Sequence, residues 1–477
     1  MSGKIVKKLL AVALSCSMLT GVAGCGTGGN AADGAANTEG ADAAADAAQE
    51  GAQDKDTVNL RLAYWGGPAE KKNMESTCKA FEEAHPGITV ELMHIPDDFK
   101  TKMQTMMASG TEPDLAYGNI MSYSWAKEGK CLNVFDLYEK YPDPEFKKED
   151  LFDFAWYEWE KGKSFGGFIA NGCQTLIYNP AMFEDAGVEL PPVEAEDAWS
   201  WEEFVDVAQR LTFDTAGHNA QDPDFDPTKI KQYGVSMPYW WAGWLTMVRS
   251  NGGDIVTEDG SKFGLTAPEA VEAIQRMADL INVYHVTPAI TTKMPNLSTS
   301  LQSRKVAMAM DGTWTMADLA EVPDFRFGVG VLPYMKDLAY IITSGTLCIM
   351  SSTPHEEESW ELYKWINNPE HAIDLHRGLW LPQMKDWYED PELIEKWASP
   401  SLPGRPEGFQ SAVMRTPLLK NTSDPETTIK NFDQIEALVS PALEPVWLGK
   451  KTAEEAMKEV EPKVEKLIDG FYEKSVE

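Results

Sequence analysis

The middle of the chain carries its most informative hydrophobic pattern. Tyr233 to Pro238 is a short apolar run that predicts a buried strand, closed by Pro238. From Trp240 the period changes, with Trp240, Trp244, Met247 and Val248 at helical spacing. Four aromatic rings, Tyr239, Trp240, Trp241 and Trp244, stand within six residues of this strand-to-helix junction. Helical neighbours diverge by about 100°, so the rings cannot all face one core. At least one of Tyr239, Trp240 and Trp241 is therefore expected at a cleft or surface, while Trp244 fits a core position equally well. Open α/β sheets bind ligands outside the carboxyl ends of their strands, which is where this cluster falls.

The N-terminal body reads in the same way. Val58–Trp65 alternates as a first strand, and a helix carrying Met74, Cys78 and Phe81 runs from about Ala69 to His85 before Pro86-Gly87. Ile88–His94 predicts a second strand, Phe99–Ser109 a helix capped by Gly110, and Leu115–Tyr117 a third strand. This β-α-β-α-β order implies an α/β fold with a mostly parallel sheet. Further on, Ser200/Glu203, Thr266/Glu269 and Thr452/Glu455 have capping-box spacing. The helix after Thr266 is expected to bury Val271, Ile274, Ala278 and Ile281. Val306–Met310 and Leu347–Met350 read as short buried strands, with a turn at Asp311-Gly312 leading to Trp314. Thr353 and Pro354 are expected to open a helix through Trp360 and Ile366, and the last helix to present Val460, Val464, Leu467, Ile468 and Phe471.

The N-terminus has a different grammar. Lys4, Lys7 and Lys8 precede an apolar run, Leu9 to Thr20, that is too short to span a membrane. Val22-Ala23-Gly24-Cys25 follows, resembling a bacterial lipobox, in which cleavage before the cysteine would leave Cys25 as the lipidated terminus. Residues 1–24 are thus expected to be a lipoprotein signal peptide. Residues 25–56 are rich in Gly, Ala and acids and almost free of large apolar side chains, the composition of a flexible acidic tether.

Charge and composition narrow the function. With 42 Lys plus Arg against 75 Asp plus Glu, the net charge of −33 repels phosphate backbones, which argues against nucleic-acid partners. Sixteen tryptophans favour recognition of ligands with apolar faces and hydroxylated rims, such as sugars. No G-x-S-x-G, H-E-x-x-H, Walker A or G-x-G-x-x-G motif is present, so no catalytic constellation and no cofactor are expected. Glu158 and Glu160 form a carboxylate pair of the kind a glycosidase uses, though so acidic a chain also places such pairs on solvated faces. Asp222, Asp224 and Asp226 alternate like the start of a calcium loop, but Pro227 and Tyr233 stand where such a loop needs Gly and Glu. A solvated acidic loop fits better. Cys78, Cys131, Cys173 and Cys348 are scattered singly and read as buried thiols rather than disulfide partners or metal ligands.

Several blocks carry a family resemblance. Phe81-Glu82-Glu83-Ala84-His85-Pro86-Gly87-Ile88, Ala108-Ser109-Gly110-Thr111-Glu112-Pro113-Asp114-Leu115, Leu176-Ile177-Tyr178-Asn179-Pro180, Ser250-Asn251-Gly252-Gly253-Asp254 and Lys305 to Trp314 resemble, in order and spacing, the family 1 extracellular solute-binding proteins. These are sugar-binding lipoproteins of bacterial ABC importers, with maltose-binding protein as a relative. The resemblance implies a two-lobe periplasmic-binding-protein-like fold with an interlobe cleft and hinge crossings near Asn171, Ser344 and Asp390. One lobe would comprise 57–171 plus 344–390, the other 172–343 plus 391–477. It implies a monomer that captures a carbohydrate, delivers it to membrane permease subunits, and is held at the outer face of the cytoplasmic membrane through Cys25. Expected ligand contacts are Tyr64, Trp65, Tyr117, Asn119, Asn171, Tyr239, Trp240, Trp241, Asp311, Trp314, Gly345 and Trp380. Gly118 stands where the maltose-binding relative has a stacking Trp, so the pocket must differ there. An extracellular glycoside-acting enzyme and a receptor for a peptide or polyamine are the alternatives.

Overall fold

A computed structural model describes residues 57–292, 294–378 and 380–475. The expected signal peptide, Cys25 and the acidic tether lie outside the described residues. Among the described residues thirteen strands occur in chain order: β1 Val58–Tyr64, β2 Ile88–His94, β3 Leu115–Gly118, β4 Trp156–Glu160, β5 Lys163–Gly167, β6 Gln174–Tyr178, β7 Phe213–Asp214, β8 Ile230–Ser236, β9 Val306–Gly312, β10 Gly328–Gly330, β11 Tyr340–Ile341, β12 Thr346–Ile349 and β13 Asn421–Thr422.

Two sheets organise the molecule. The first has the order β12-β3-β1-β2, with β1 parallel to both β2 and β3 and β12 antiparallel at one edge. Its crossover helices are Pro68–Ala84, which buries Met74, Cys78 and Phe81, and Phe99–Ser109, which ends at Gly110 in the left-handed conformation. The second sheet, β10-β6-β9-β8-β7, is parallel only between β8 and β9. In β9 the run Val306 to Met310 is buried on both faces, which is why it reads as unbroken apolar sequence. Together the two sheets and their covering helices form the two-lobe α/β architecture expected from the sequence.

The chain crosses between the sheets along two antiparallel stretches. Phe168 pairs with Thr346, and Gly172 pairs with Thr343. The Gly172 N–H donates to the Thr343 carbonyl at 3.0 Å, and the Thr343 N–H returns the bond at 2.8 Å. Asn171 fixes this seam from one side, its Nδ2 donating to the Pro382 carbonyl at 2.9 Å. Two stretches of 391–477 also touch the first lobe. Trp397, in the helix Pro391–Ala398, donates its indole N–H to the Trp387 carbonyl, and Tyr472 stacks on Tyr123 with ring centres 4.6 Å apart.

Some local expectations fail for identifiable reasons. The Thr266 hydroxyl donates to Glu461 instead of capping, and the helix Pro268–Asn282 starts on Ala267 with Pro268 at its first position. Val271 is only partly buried on that helix. The Thr353 hydroxyl donates to Asp114 and accepts from the His355 N–H, two residues short of the cap, and the helix Glu356–Asn367 begins after His355. β9 continues through Gly312 where a turn at Asp311 was expected. The last helix, Ala453–Val464, ends before Leu467 and Ile468, and Phe471 pairs with Ile429 and is exposed. The capping boxes at Ser200 and Thr452 are both formed.

One glycine sets the spacing of the second lobe. A Cβ on Gly234 of β8 would lie 2.0 Å from the Ala208 carbonyl of the helix Trp201–Arg210. The obstruction is backbone, which yields only by moving the helix off the sheet. Gly234→Ala is expected to destabilise the protein by about 1–3 kcal/mol. Urea melts check this, and an unchanged midpoint contradicts it.

Candidate functional site: an interlobe cavity lined by tryptophan and carboxylate

Between the sheets lies a cavity of about 420 Å³. Trp65 and Asn119 enter it from the ends of β1 and β3, Trp240 and Trp241 from the start of the helix Trp241–Ser250, and Trp314 from the end of β9. The crossings supply Ile169, Ala170, Gly172, Thr343, Ser344 and Gly345, with Trp380 and Leu381 beside them. The five tryptophans thus come from both lobes.

Missing Cβ atoms seat these rings. A Cβ on Gly312 would fall 2.0 Å from the Trp314 ring, and one on Gly172 would reach 3.4 Å from it. The indole therefore lies across two bare stretches of backbone. On the opposite wall a Cβ on Gly345 would stand 3.0 Å from Trp65, whose ring also packs edge-on against Phe99 and Tyr117. Trp240 tilts toward Trp314 with centroids 5.8 Å apart and packs edge-on against Trp241 at 5.2 Å. At 37% exposure Trp240 keeps much of its surface open, whereas Trp241 is mostly buried against Phe432.

Of the twelve expected contact residues, Trp65, Asn119, Trp240, Trp241, Trp314, Gly345 and Trp380 line the cavity, and Tyr64, Tyr117, Asn171, Tyr239 and Asp311 do not. Successive strand residues point to opposite faces, so Tyr64 turns into the core while Trp65 reaches the cavity. Tyr117 is buried and its hydroxyl donates to Glu70 Oε1 at 3.0 Å. Tyr239 bonds the Pro288 carbonyl, and Asn171 serves the crossing. Asp311 accepts from the Gly312 N–H and the Thr315 hydroxyl. Trp244 is core.

Three acids unmarked by sequence also line the cavity: Glu70, Asp318 and Glu426. Glu70 is an acid in the first turn of a helix, an ordinary place for one, and its chemistry depends on burial that spacing does not encode. Burial pushes its carboxyl up to about 7 against the Tyr117 hydrogen bond, which pulls it down. Glu426 Oε2 accepts from the Ile120 N–H and the Tyr157 hydroxyl, and burial together with the Asp424 carboxylate raises it well above the usual range. Burial also raises Asp318. No cation stands among the groups that shift these three.

Other candidate chemistry is occupied locally. Asp222 and Asp226 accept from backbone N–H groups of their own loop, and Asp226 also holds Lys229. Among the described residues no group of three or more His, Cys, Asp or Glu could hold a metal ion. Glu158 is buried and accepts from the Gly162 and Ser475 N–H groups, while Glu160 pairs with Lys163. Cys78, Cys131, Cys173 and Cys348 are free, buried thiols.

The raised Glu70 carboxyl links stability to pH. Both states hold the proton below about pH 4.5, but the unfolded chain releases it between about 4.5 and 7 while the folded protein keeps it. Stability therefore declines with rising pH across that window by on the order of 3 kcal/mol. Glu70→Gln removes this cost. The variant's stability relative to the parent, from denaturant melts, is expected to be higher at pH 8 than at about pH 4 by that order. A difference independent of pH contradicts the assignment.

Comparisons with known proteins agree with this geometry. The profile of the bacterial extracellular solute-binding proteins matches residues 76–401, more than half the chain. A substrate-binding protein from Listeria monocytogenes, solved in complex with cycloalternan, superposes with a TM-score of 0.71 at 22% identity, covering 86% of this chain and 99% of that one. A binding protein of Brucella abortus is 25% identical over 301 residues, 61% of this chain and 67% of that protein. The sn-glycerol-3-phosphate-binding periplasmic protein UgpB of Escherichia coli is 23% identical over 317 residues, 62% of this chain and 65% of that protein. Among the described residues no helix is long and apolar enough to cross a membrane. The chain belongs to the bacterial extracellular solute-binding protein family.

Proposed function

We propose that this protein captures a carbohydrate, an oligosaccharide by preference, between its lobes and delivers it to the membrane permease subunits of an ABC importer. In this reading it is a monomer tethered to the outer face of the cytoplasmic membrane through a lipid on Cys25, and it performs no catalysis. The observation that carries the reading is a cavity of about 420 Å³ walled by tryptophans from both lobes and rimmed by Thr313, Thr343, Ser344 and Asn119. Indole faces suit the apolar faces of a pyranose, and the polar rim suits its hydroxyls. The volume falls within the ~300–1,000 Å³ usual for small-molecule sites.

The Listeria neighbour, solved in complex with cycloalternan, and a maltose/maltodextrin-binding domain from Bdellovibrio bacteriovorus, solved bound to maltotriose, support the class of ligand. The UgpB relative points elsewhere, to a phosphate ester. Among the described residues lining this cavity there is no Lys, Arg or His to neutralise a phosphate. A phosphate buried there would lose its hydration with no cation to replace it, which is strongly unfavourable.

A thermal-shift screen across mono- and oligosaccharides is expected to raise the melting temperature with at least one member, because a ligand that binds only the folded state stabilises it. A flat response across the screen contradicts the reading. Trp314→Ala is expected to weaken that binding by roughly 1–3 kcal/mol. Its effect on apo stability should stay small, since the ring faces the cavity. Intact affinity with a loss of ~3–5 kcal/mol in folding stability would instead make Trp314 a core residue.

A further inference from the structure

Past the last helix the chain runs back along the second lobe and reaches the first. Gly470, Phe471 and Tyr472 lie antiparallel to Thr428, Ile429 and Lys430. The Lys430 N–H donates to the Gly470 carbonyl at 3.1 Å, the Tyr472 N–H donates to the Thr428 carbonyl at 2.8 Å, and Phe471 pairs with Ile429. Exposure then alternates: Phe471, Glu473 and Ser475 are open while Tyr472 and Lys474 are partly covered, the pattern of a strand with one face against the protein. Two neighbouring residues grip different lobes. Phe471 lies over Gly260 of the second lobe, where a Cβ would stand 2.8 Å from its ring. Tyr472 stacks on Tyr123 of the first lobe with ring planes 10° apart, and Lys127 Nζ stands 5.5 Å from the centre of the same ring.

The first lobe is shaped to receive this tail. Lys474 Nζ donates to the Trp156 carbonyl at 2.5 Å, and the Ser475 N–H lies 3.1 Å from both Glu158 oxygens. Glu158 is a fully buried acid of β4, and among the described residues its own lobe gives it only the Gly162 N–H. Buried polar groups require partners, and the tail supplies the one that is missing. Burial pushes the Lys474 ammonium down to about 8, against the Glu158 and Asp424 carboxylates, which hold it up.

These contacts close a ring behind the cavity. Tyr123 lies in the helix Ser122–Lys127, just after the cavity residue Asn119 and after Ile120, whose N–H donates to Glu426 Oε2 at 3.3 Å. On the other side, Tyr472 is bonded to Thr428 in the short helix Pro425–Thr428, which carries Glu426 to the cavity. Tyr157, next to Trp156, places its hydroxyl 3.2 Å from the same carboxylate and 2.6 Å from the Ser344 carbonyl at the crossing. The stack, the ribbon and this part of the cavity wall are one connected unit.

We infer that the C-terminal tail is a strap that ties the lobes together behind the cavity. Tyr472 and Lys474 are then positioning residues for the wall formed by Asn119, Ser344 and Glu426. Consecutive Cα atoms stand about 3.8 Å apart, so Phe471 and Tyr472 leave no slack for the lobes to part without one grip failing. The strap biases the lobes toward one arrangement before any solute arrives, and it does so whichever solute that is. The inference therefore goes beyond the carbohydrate reading and does not depend on it.

Hydrogen–deuterium exchange and small-angle scattering on the ligand-free protein test this. In Tyr472→Ala, peptides covering 119–124 and 424–430 are expected to exchange about tenfold faster while those of β1 and β2 keep the parent rate. The radius of gyration is expected to grow. Tyr472→Phe keeps the ring and is expected to match the parent in both measurements. Lys474→Met keeps the stem and loses the ammonium; it is expected to give the same local pattern, and it decides the matter should Tyr472→Ala fail to fold cooperatively. Parent rates in 119–124 and 424–430, with only the tail exchanging faster, overturn the inference by making the tail a passenger. Acceleration spread through β1 and β2 overturns it by reducing the contact to general stability. An unchanged radius of gyration overturns the tie between lobes, and Tyr472→Phe behaving like Tyr472→Ala overturns the role of the stack.

Discussion

The paired hydrogen bonds between Gly172 and Thr343 are the constraint on which the site depends. They hold the two crossings against each other at the base of the cavity, where both lobes must meet. A side chain on Gly172 would stand 2.9 Å from the Thr343 carbonyl and would also crowd Trp314. One residue therefore governs both the closeness of the crossings and the seat of a cavity ring. Gly345 repeats the arrangement on the other wall, where Trp65 lies over it. The aromatic lining is thus a property of the backbone: rings rest where Cβ atoms are missing, and they need little rearrangement to meet a ligand. Ligand held by both walls stabilises a closed arrangement only by its differential affinity for that arrangement.

The electrostatics of the cavity follow from the same enclosure. Glu70 and Glu426 are raised because burial withdraws water, and their hydrogen-bond donors only partly offset that. Asp424, which accepts from the Glu426 N–H, is also raised by burial although Arg249 and Lys474 hold it down. Neither Arg249 nor Lys474 lines the cavity. His376 lies behind the wall, fully buried with its ring edge-on to Trp380, and burial holds it neutral, down to about 3. The site is thus an acidic chamber faced with indole.

Much of the fold was legible because it follows local rules. β2 and the helix Phe99–Ser109 lie where alternation, helical spacing and the Gly110 cap placed them. The capping misses are shifts of one or two residues in where the helix starts: the N-caps are Ala267 and His355, while the Thr266 and Thr353 hydroxyls donate to the distant Glu461 and Asp114. At the cavity, sequence identified residues by aromaticity and by position at strand ends. It could not tell Trp65 from Tyr64, because adjacent strand residues differ only in the face they take. Nor could it select Glu70 or Glu426 from 75 acidic residues, since what distinguishes them is burial without a cation. The glycines at 66 and 172 were equally silent, because each makes room for a side chain that only the fold brings against it.

The central claim is that a saccharide occupies the tryptophan-walled cavity, and fluorine NMR of protein labelled with 5-fluorotryptophan tests it most directly. Tryptophan-to-phenylalanine variants assign the resonances. Saturating saccharide is expected to shift the signals of Trp65, Trp240 and Trp314, which line the cavity, and to leave Trp156, Trp360 and Trp397, which are fully buried elsewhere, unmoved. Binding that leaves all three cavity signals in place would contradict the account.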